Sequence, residues 1–303
     1  MPRRDRIDGI GLAALIALSL LFGLNQVTIK LVNAGFNPVF AAAVRSAIAV
    51  LAVAGWMAWR RIPFASPPRS LGLGILMGAI FAAEFVCIYL SLDLTTVTRA
   101  SVILYSMPVW FALGAHLFLP GERLTAQKSA GLALAFAGMA LAFWDRGSQP
   151  GGAPTLGGDL LALGGALGWA AVALVARVAG GRGMSPEVQL LWMVAGSMPL
   201  LFLAAPAFGP LLRSPGSFEM ALLLFQGLVI VAVGFLAWFW LLATYPPQGV
   251  ASFAFLSPIL GLALGWALLG EPVGPVLLVA GALVAAGLVM VNRPDRPQVP
   301  QKV

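Results

Sequence analysis

The chain is 303 residues long, 60% hydrophobic and 10% charged, with a mean hydropathy of +0.94. A soluble domain carries about 25% charged residues, so this composition excludes an ordinary soluble fold and points to an all-α protein of the lipid bilayer. The net charge of +7 sits at the ends of apolar runs rather than in a basic patch with interleaved aromatics, which sets nucleic acid aside as a partner.

Charge-free runs cover 10–29, 100–121, 188–212, 220–270 and 272–292. About 20 apolar residues cross roughly 30 Å of hydrocarbon. The spacing therefore predicts ten transmembrane helices, near 10–32, 37–59, 70–92, 97–119, 125–144, 158–179, 186–206, 218–243, 248–270 and 273–292. The opening MPRRDRIDG precedes a run too long for a signal-peptide core, so the first span is read as retained. Tyr245-Pro246-Pro247-Gln248 divides the eighth span from the ninth, because proline cannot continue a helix and restricts the residue before it.

The polar residues within these spans are the candidates for chemistry. In the first span Asn25, Gln26 and Thr28 cluster, and Asn25 and Thr28 share a face; they line a cavity or bond to a neighbouring helix. Lys30 snorkels toward the interface. Arg45 lies about 10 Å along the second helix from Pro38 and is given a structural role. Glu84 is the one carboxylate deep in a span, where a charge costs roughly 2.5–3.5 kcal/mol. It faces the bundle interior as a proton site or as the partner of a substrate amine; the structural alternative pairs it with Arg45. Ser101 and Tyr105 share a face of the fourth span, a turn before Pro108, where a kink is expected. Trp169 in the sixth span occupies the place that matches the Asn25 cluster. Gln226 and Trp238 mark the eighth span, and Ser252 and Phe253 the ninth.

Other residues receive blander readings. Trp56, Trp59 and Trp144 are interfacial anchors. Gly131, Gly138, Gly281 and Gly287 form small-residue packing surfaces. Cys87 is the only cysteine and His116 the only histidine, so no disulfide closes within the chain and no familiar metal-ligand set exists. No metal, cofactor or catalytic residue is expected.

The segment SVILYSMPVWFALGAHLFLPGE (101–122) returns in outline as SFAFLSPILGLALGWALLGE (252–271). Pro108 matches Pro258 at an offset of 150, and Glu122 matches Glu271 at 149, about half the chain. The chain reads as a duplication, 1–148 and 149–303. Five spans per half force the second to enter from the opposite side, so the repeats are inverted. Secondary transporters use that device, with two halves rocking about a site near the midplane. The first, third, fourth, sixth, eighth and ninth spans are expected to line the site, with the fifth and tenth behind.

Lys and Arg gather on the cytoplasmic side of membrane proteins. With the N-terminus cytoplasmic, that side holds Arg3, Arg4, Arg6, Arg60, Arg61, Arg69, Arg123, Lys128, Arg177, Arg182, Arg293, Arg296 and Lys302, thirteen of the 18. Lys30, Arg99, Arg146 and Arg213 fall on the other side, and Arg45 within a span. Both termini are expected in the cytoplasm.

LLFGLNQVTIKLVNAGFNP in the first span, AAAVRSAIAV in the second and the two Ser-to-Gly-Glu segments resemble the drug/metabolite transporter superfamily, in particular its EamA-type permeases. The resemblance covers nearly the whole chain. It implies a ten-helix inverted-repeat carrier of the bacterial inner membrane that exports small amphiphilic metabolites, foremost aromatic and other neutral amino acids; a monomer is expected, although the sequence itself does not fix the oligomeric state. Export of drugs or other metabolites is the alternative. Phosphate-bearing solutes rank lower, since only Lys30 and Arg45 offer cavity cations. A channel lacks a ring-forming polar motif, and an intramembrane enzyme lacks paired acids or a histidine set.

Overall fold

The computed structural model describes residues 7–119, 124–144, 155–245 and 256–292. Among these, eight helices are long and apolar enough to cross a membrane, and Ile259–Leu269 and Pro275–Val291 are shorter apolar helices. The elements are α1 (Gly9–Gly35), α2 (Pro38–Trp59), α3 (Leu71–Leu94), α4 (Val97–Leu104), α5 (Met107–Phe118), α6 (Ala126–Trp144), α7 (Leu156–Gly181), α8 (Pro186–Ala204), α9 (Ser217–Phe225), α10 (Gly234–Thr244), α11 (Leu256–Leu269) and α12 (Pro275–Asn292). A π-helical stretch, Gln226–Val233, joins α9 to α10 into one span.

Short polar residues start the helices. Asp8 caps Gly11, Asn37 caps Val39 and Phe40, Thr155 caps Gly158 and Ser185 caps Val188, with Pro38 and Pro186 just inside α2 and α8. Each cap satisfies amide donors that the helix leaves unpaired. Between caps the helices are mostly apolar, as spans in hydrocarbon are, with polar side chains such as Arg45 and Glu84 buried inside the bundle. The fourth span breaks rather than bends: α4 ends at Leu104, Tyr105 and Ser106 form a turn, and Pro108 lies in the first turn of α5. Proline tolerates that position because its missing N–H would be unpaired there anyway. Of the Tyr245–Gln248 break, α10 ends at Thr244 and the following Pro246-Pro247-Gln248 lies outside the described residues, as does Glu122.

Small residues let the helices approach closely. A Cβ on Gly138 would stand 2.6 Å from the Ala280 carbonyl oxygen, and one on Gly131 2.8 Å from that of Gly287, so α6 and α12 touch backbone to backbone. Gly281 faces Leu262 and Val102 instead. At the α3–α8 crossing a Cβ on Gly78 would meet the Gly196 Cα at 2.7 Å.

The packing repeats with spans shifted by five. The α1–α11 contact has its counterpart in α7 against α4 and α5, and the α3–α7 contact in α1 against α9, α10 and the π stretch. Likewise α3 on α8 corresponds to α2 on the π stretch. The α2–α8, α4–α11 and α6–α12 contacts map onto themselves.

One end of the bundle is tied by polar contacts between distant parts of the chain. Arg99 forms a buried ion pair with Asp159 (2.6 Å), and Thr95 also donates to Asp159 (2.9 Å). Arg213 pairs with Asp93 (2.8 Å) and donates to the Asn33 carbonyl (3.1 Å). Glu271 accepts from the amides of Val97 and Thr98, both at 2.8 Å, and so caps α4. Lys30 does not snorkel free: its ammonium donates to the Thr95 carbonyl at 2.6 Å. Contacts at the opposite end include Tyr245 to Asp8 (2.7 Å) and Trp192 to Ser66 (2.7 Å).

Candidate functional site

A cavity of about 280 Å³ opens among the helices at mid-depth. Lining residues come from α1, α2, α3, α4 and its following turn, α5, α7, α8, the π stretch, α10 and α11. None comes from α6 or α12, which pack on one another. Arg45 of α2 and Met193 of α8 add two spans to the set expected from the sequence.

Five of the sequence candidates line it: Asn25, Glu84, Tyr105, Trp169 and Trp238. The fold brings them together for local reasons. Tyr105 sits at the break between α4 and α5, and its hydroxyl donates to the Phe22 carbonyl at 3.0 Å. Its ring meets Trp169 edge-on with centroids 6.0 Å apart, while Phe22 meets Phe235 at 5.8 Å and Trp238 at 6.5 Å. These rings form an aromatic wall. Gly168 allows Glu84 to press against α7, since a Cβ there would lie 2.9 Å from that of Glu84.

Three candidates are buried elsewhere. The Thr28 hydroxyl donates to the Asn25 carbonyl one turn back (2.9 Å). Ser101 packs against Gly261 of α11, where no larger residue would fit. Gln226 opens the π stretch and accepts from the Tyr89 hydroxyl at 2.6 Å, while Asn33 donates to the Tyr89 carbonyl at 2.8 Å. Ser252 and Phe253 lie outside the described residues.

The arrangement around Arg45 is the main departure from the sequence reading. No ion pair joins Arg45 to Glu84 among the described residues. The guanidinium carbon stands 3.6 Å from the Phe85 ring centre, 5.7 Å from that of Tyr89 and 6.0 Å from that of Phe81. The signal was present as Phe81, Phe85 and Tyr89, spaced four apart on one face of α3. Cations over aromatic faces are attracted by the ring quadrupole, so this stripe marks the seat of a buried cation. Arg45 Nε and Nη2, Glu84 Oε2, Asn25 Oδ1 and Gln26 Oε1 are all buried with no hydrogen-bond partner. Unpaired buried polar groups are rare in folded proteins. These five belong to residues that line the cavity, whereas the unpaired atoms of Asn33, Ser91, Ser101 and Gln226 lie away from it.

The EamA-like transporter family model matches residues 9–144 and again 156–293. The chain belongs to the EamA-like transporter family. Its relatives include an uncharacterized transporter of Bacillus subtilis (strain 168), YvbV, 31% identical over 65% of this chain and 64% of that protein's length. A probable amino-acid metabolite efflux pump of Escherichia coli (strain K12) is 25% identical over 94% of each chain. A solved crystal structure shares the fold with a TM-score of 0.66 at 21% identity, covering 93% of this chain and 96% of its own. This is a multi-pass membrane transporter, and its substrate is a small molecule.

Proposed function

We propose that the protein is a secondary transporter that exports small amphiphilic metabolites, foremost aromatic and other neutral amino acids, by alternating access. The observation that carries this reading is the cavity bounded by an aromatic wall and by polar groups with no partner. Small-molecule sites have that composition, mostly apolar with a few groups that fix orientation. The efflux pump of Escherichia coli, similar over nearly its whole length, supports an amino-acid substrate. Phe22, Tyr105, Trp169, Phe235 and Trp238 suit an aromatic or branched side chain.

Ten transmembrane helices in two inverted repeats, 1–148 and 149–303, supply the machine. Two family matches, each covering one half, and the recurrence of helix contacts five spans apart support the duplication. With the N-terminus in the cytoplasm of a bacterial cell, the tied end of the bundle faces outward, closing the cavity on that side. Tyr89 and Gln226 form the layer between. Opening outward then requires the Asp93–Arg213 pair to part.

Purified protein in proteoliposomes, offered a panel of radiolabelled amino acids, tests this reading. Saturable uptake of neutral and aromatic amino acids, competed by one another, is the expected result. Uptake no greater than in empty vesicles across the panel would overturn it.

A further inference from the structure

Resting on the amino-acid reading above, we infer that Arg45 and Glu84 form a split-charge site for a zwitterion, with Arg45 holding the α-carboxylate and Glu84, with Asn25 and Gln26, holding the α-ammonium. The argument begins with which atoms are left over. On Arg45 these are Nε and Nη2. Those two atoms form the side-on edge of the guanidinium, the fork that grips a carboxylate through two parallel N–H···O bonds. The Phe85 ring centre lies 3.6 Å from the guanidinium carbon, while Nε and Nη2 are buried and take no hydrogen bond from the protein, so a carboxylate reaches them only as the neighbouring side chains shift.

The acceptors are complementary in number. Glu84 Oε2, Asn25 Oδ1 and Gln26 Oε1 lack partners, and an ammonium brings three donors. Arg45 is 1% and Glu84 4% exposed, so each buries its polar head in the protein rather than in water. A charge so placed is retained only when it is paired. The two line the same cavity from α2 and α3, and among the described residues no ion pair within 4.0 Å joins them. A bound zwitterion completes both: its carboxylate neutralises the cation, and its ammonium neutralises the acid. The aromatic wall then receives the side chain.

Such a site discriminates by charge. A site built to hydrogen-bond a group rejects analogues that lack it, because its own buried groups stay unpaired. L-Phenylalanine, phenethylamine (no carboxylate) and 3-phenylpropionate (no ammonium) differ in these groups alone. Their affinities for the full-length protein in detergent are measured by calorimetry. In the wild type both analogues are expected to bind at least tenfold more weakly than phenylalanine. In Arg45→Gln the preference for phenylalanine over phenethylamine collapses toward one, while the preference over 3-phenylpropionate persists. In Glu84→Gln the pattern reverses. Either analogue matching phenylalanine in the wild type overturns the inference, as do unchanged ratios in both variants. Should Arg45→Gln fail to fold, the wild-type series and Arg45→Lys, which keeps the charge and loses the fork, still decide it. Amino-acid transport with no charge discrimination would sink the split-charge site and leave the transport reading standing. Absence of amino-acid binding and transport alike removes both.

Discussion

Two ion pairs at the tied end of the bundle differ in burial, and that difference fixes what each contributes. Arg99 and Asp159 have side chains 3% and 0% exposed, whereas Arg213 and Asp93 are 36% and 24% exposed. Removing one partner of a buried pair leaves an uncompensated charge and costs about 3–5 kcal/mol; an exposed pair contributes about 0.2–1 kcal/mol. Asp159→Asn is therefore expected to lower the thermal midpoint in detergent sharply, and Asp93→Asn hardly at all. Equal midpoints would contradict this assignment. Cavity-lining residues were legible in the sequence where a polar group stood out in an apolar span, as Glu84 did alone and Asn25 did within a polar cluster. Arg45 reads from the sequence as a buried cation, and the ring stripe of α3 is visible as a spacing; that the stripe seats this cation depends on how α2 packs on α3. Ser101 and Gln226 were legible as polar but not as buried away from the cavity, since that depends on which neighbour fills the adjacent space. Glu271 read only as a marker of the repeat; its capping of α4 joins residues 174 positions apart.

At the scale of elements, helix ends followed from Asp8, Asn37, Thr155 and Ser185, whose capping chemistry is local. The break at Tyr105–Ser106 and the π stretch at Gln226–Val233 are responses to packing, and only Pro108 announced the first. A π stretch inside a helix often accompanies a functional site, and this one contributes Ile230 and Val231 to the cavity. The glycines of α6 and α12 give the sharpest test of element packing. A Cβ on Gly138 would approach the Ala280 carbonyl oxygen to 2.6 Å, whereas one on Gly55 of α2 meets nothing within 4 Å. Gly138→Ala should destabilise by roughly 1–3 kcal/mol, the usual cost of overpacking. Gly55→Ala should be neutral or stabilise by up to about 1 kcal/mol, because alanine loses less backbone freedom. Urea or thermal unfolding of the two variants side by side reads the difference, and a stabilised Gly138→Ala would contradict the α6–α12 contact.

For the whole molecule, membrane orientation and alternating access are the claims that matter. The proposed orientation would place Ser217, at the start of α9, outside and Ala65, between α2 and α3, inside; both are exposed. In a Cys87→Ala background, a membrane-impermeant maleimide added to intact cells is expected to label Ser217→Cys and to spare Ala65→Cys until the cells are opened. The reverse pattern would invert the topology. The charge distribution is what the proposed orientation rests on, as the proposed inverted arrangement rests on the odd number of spans per half. The tied end was not legible, because it is built from contacts between distant parts of the chain. Alternating access itself is tested most directly by counterflow. Proteoliposomes loaded with unlabelled L-phenylalanine and diluted into a trace of labelled L-phenylalanine should accumulate label transiently above equilibrium, since a carrier that returns loaded exchanges one molecule for another. Flux that never rises above equilibrium and grows in proportion to concentration would contradict the carrier and point to an open pore.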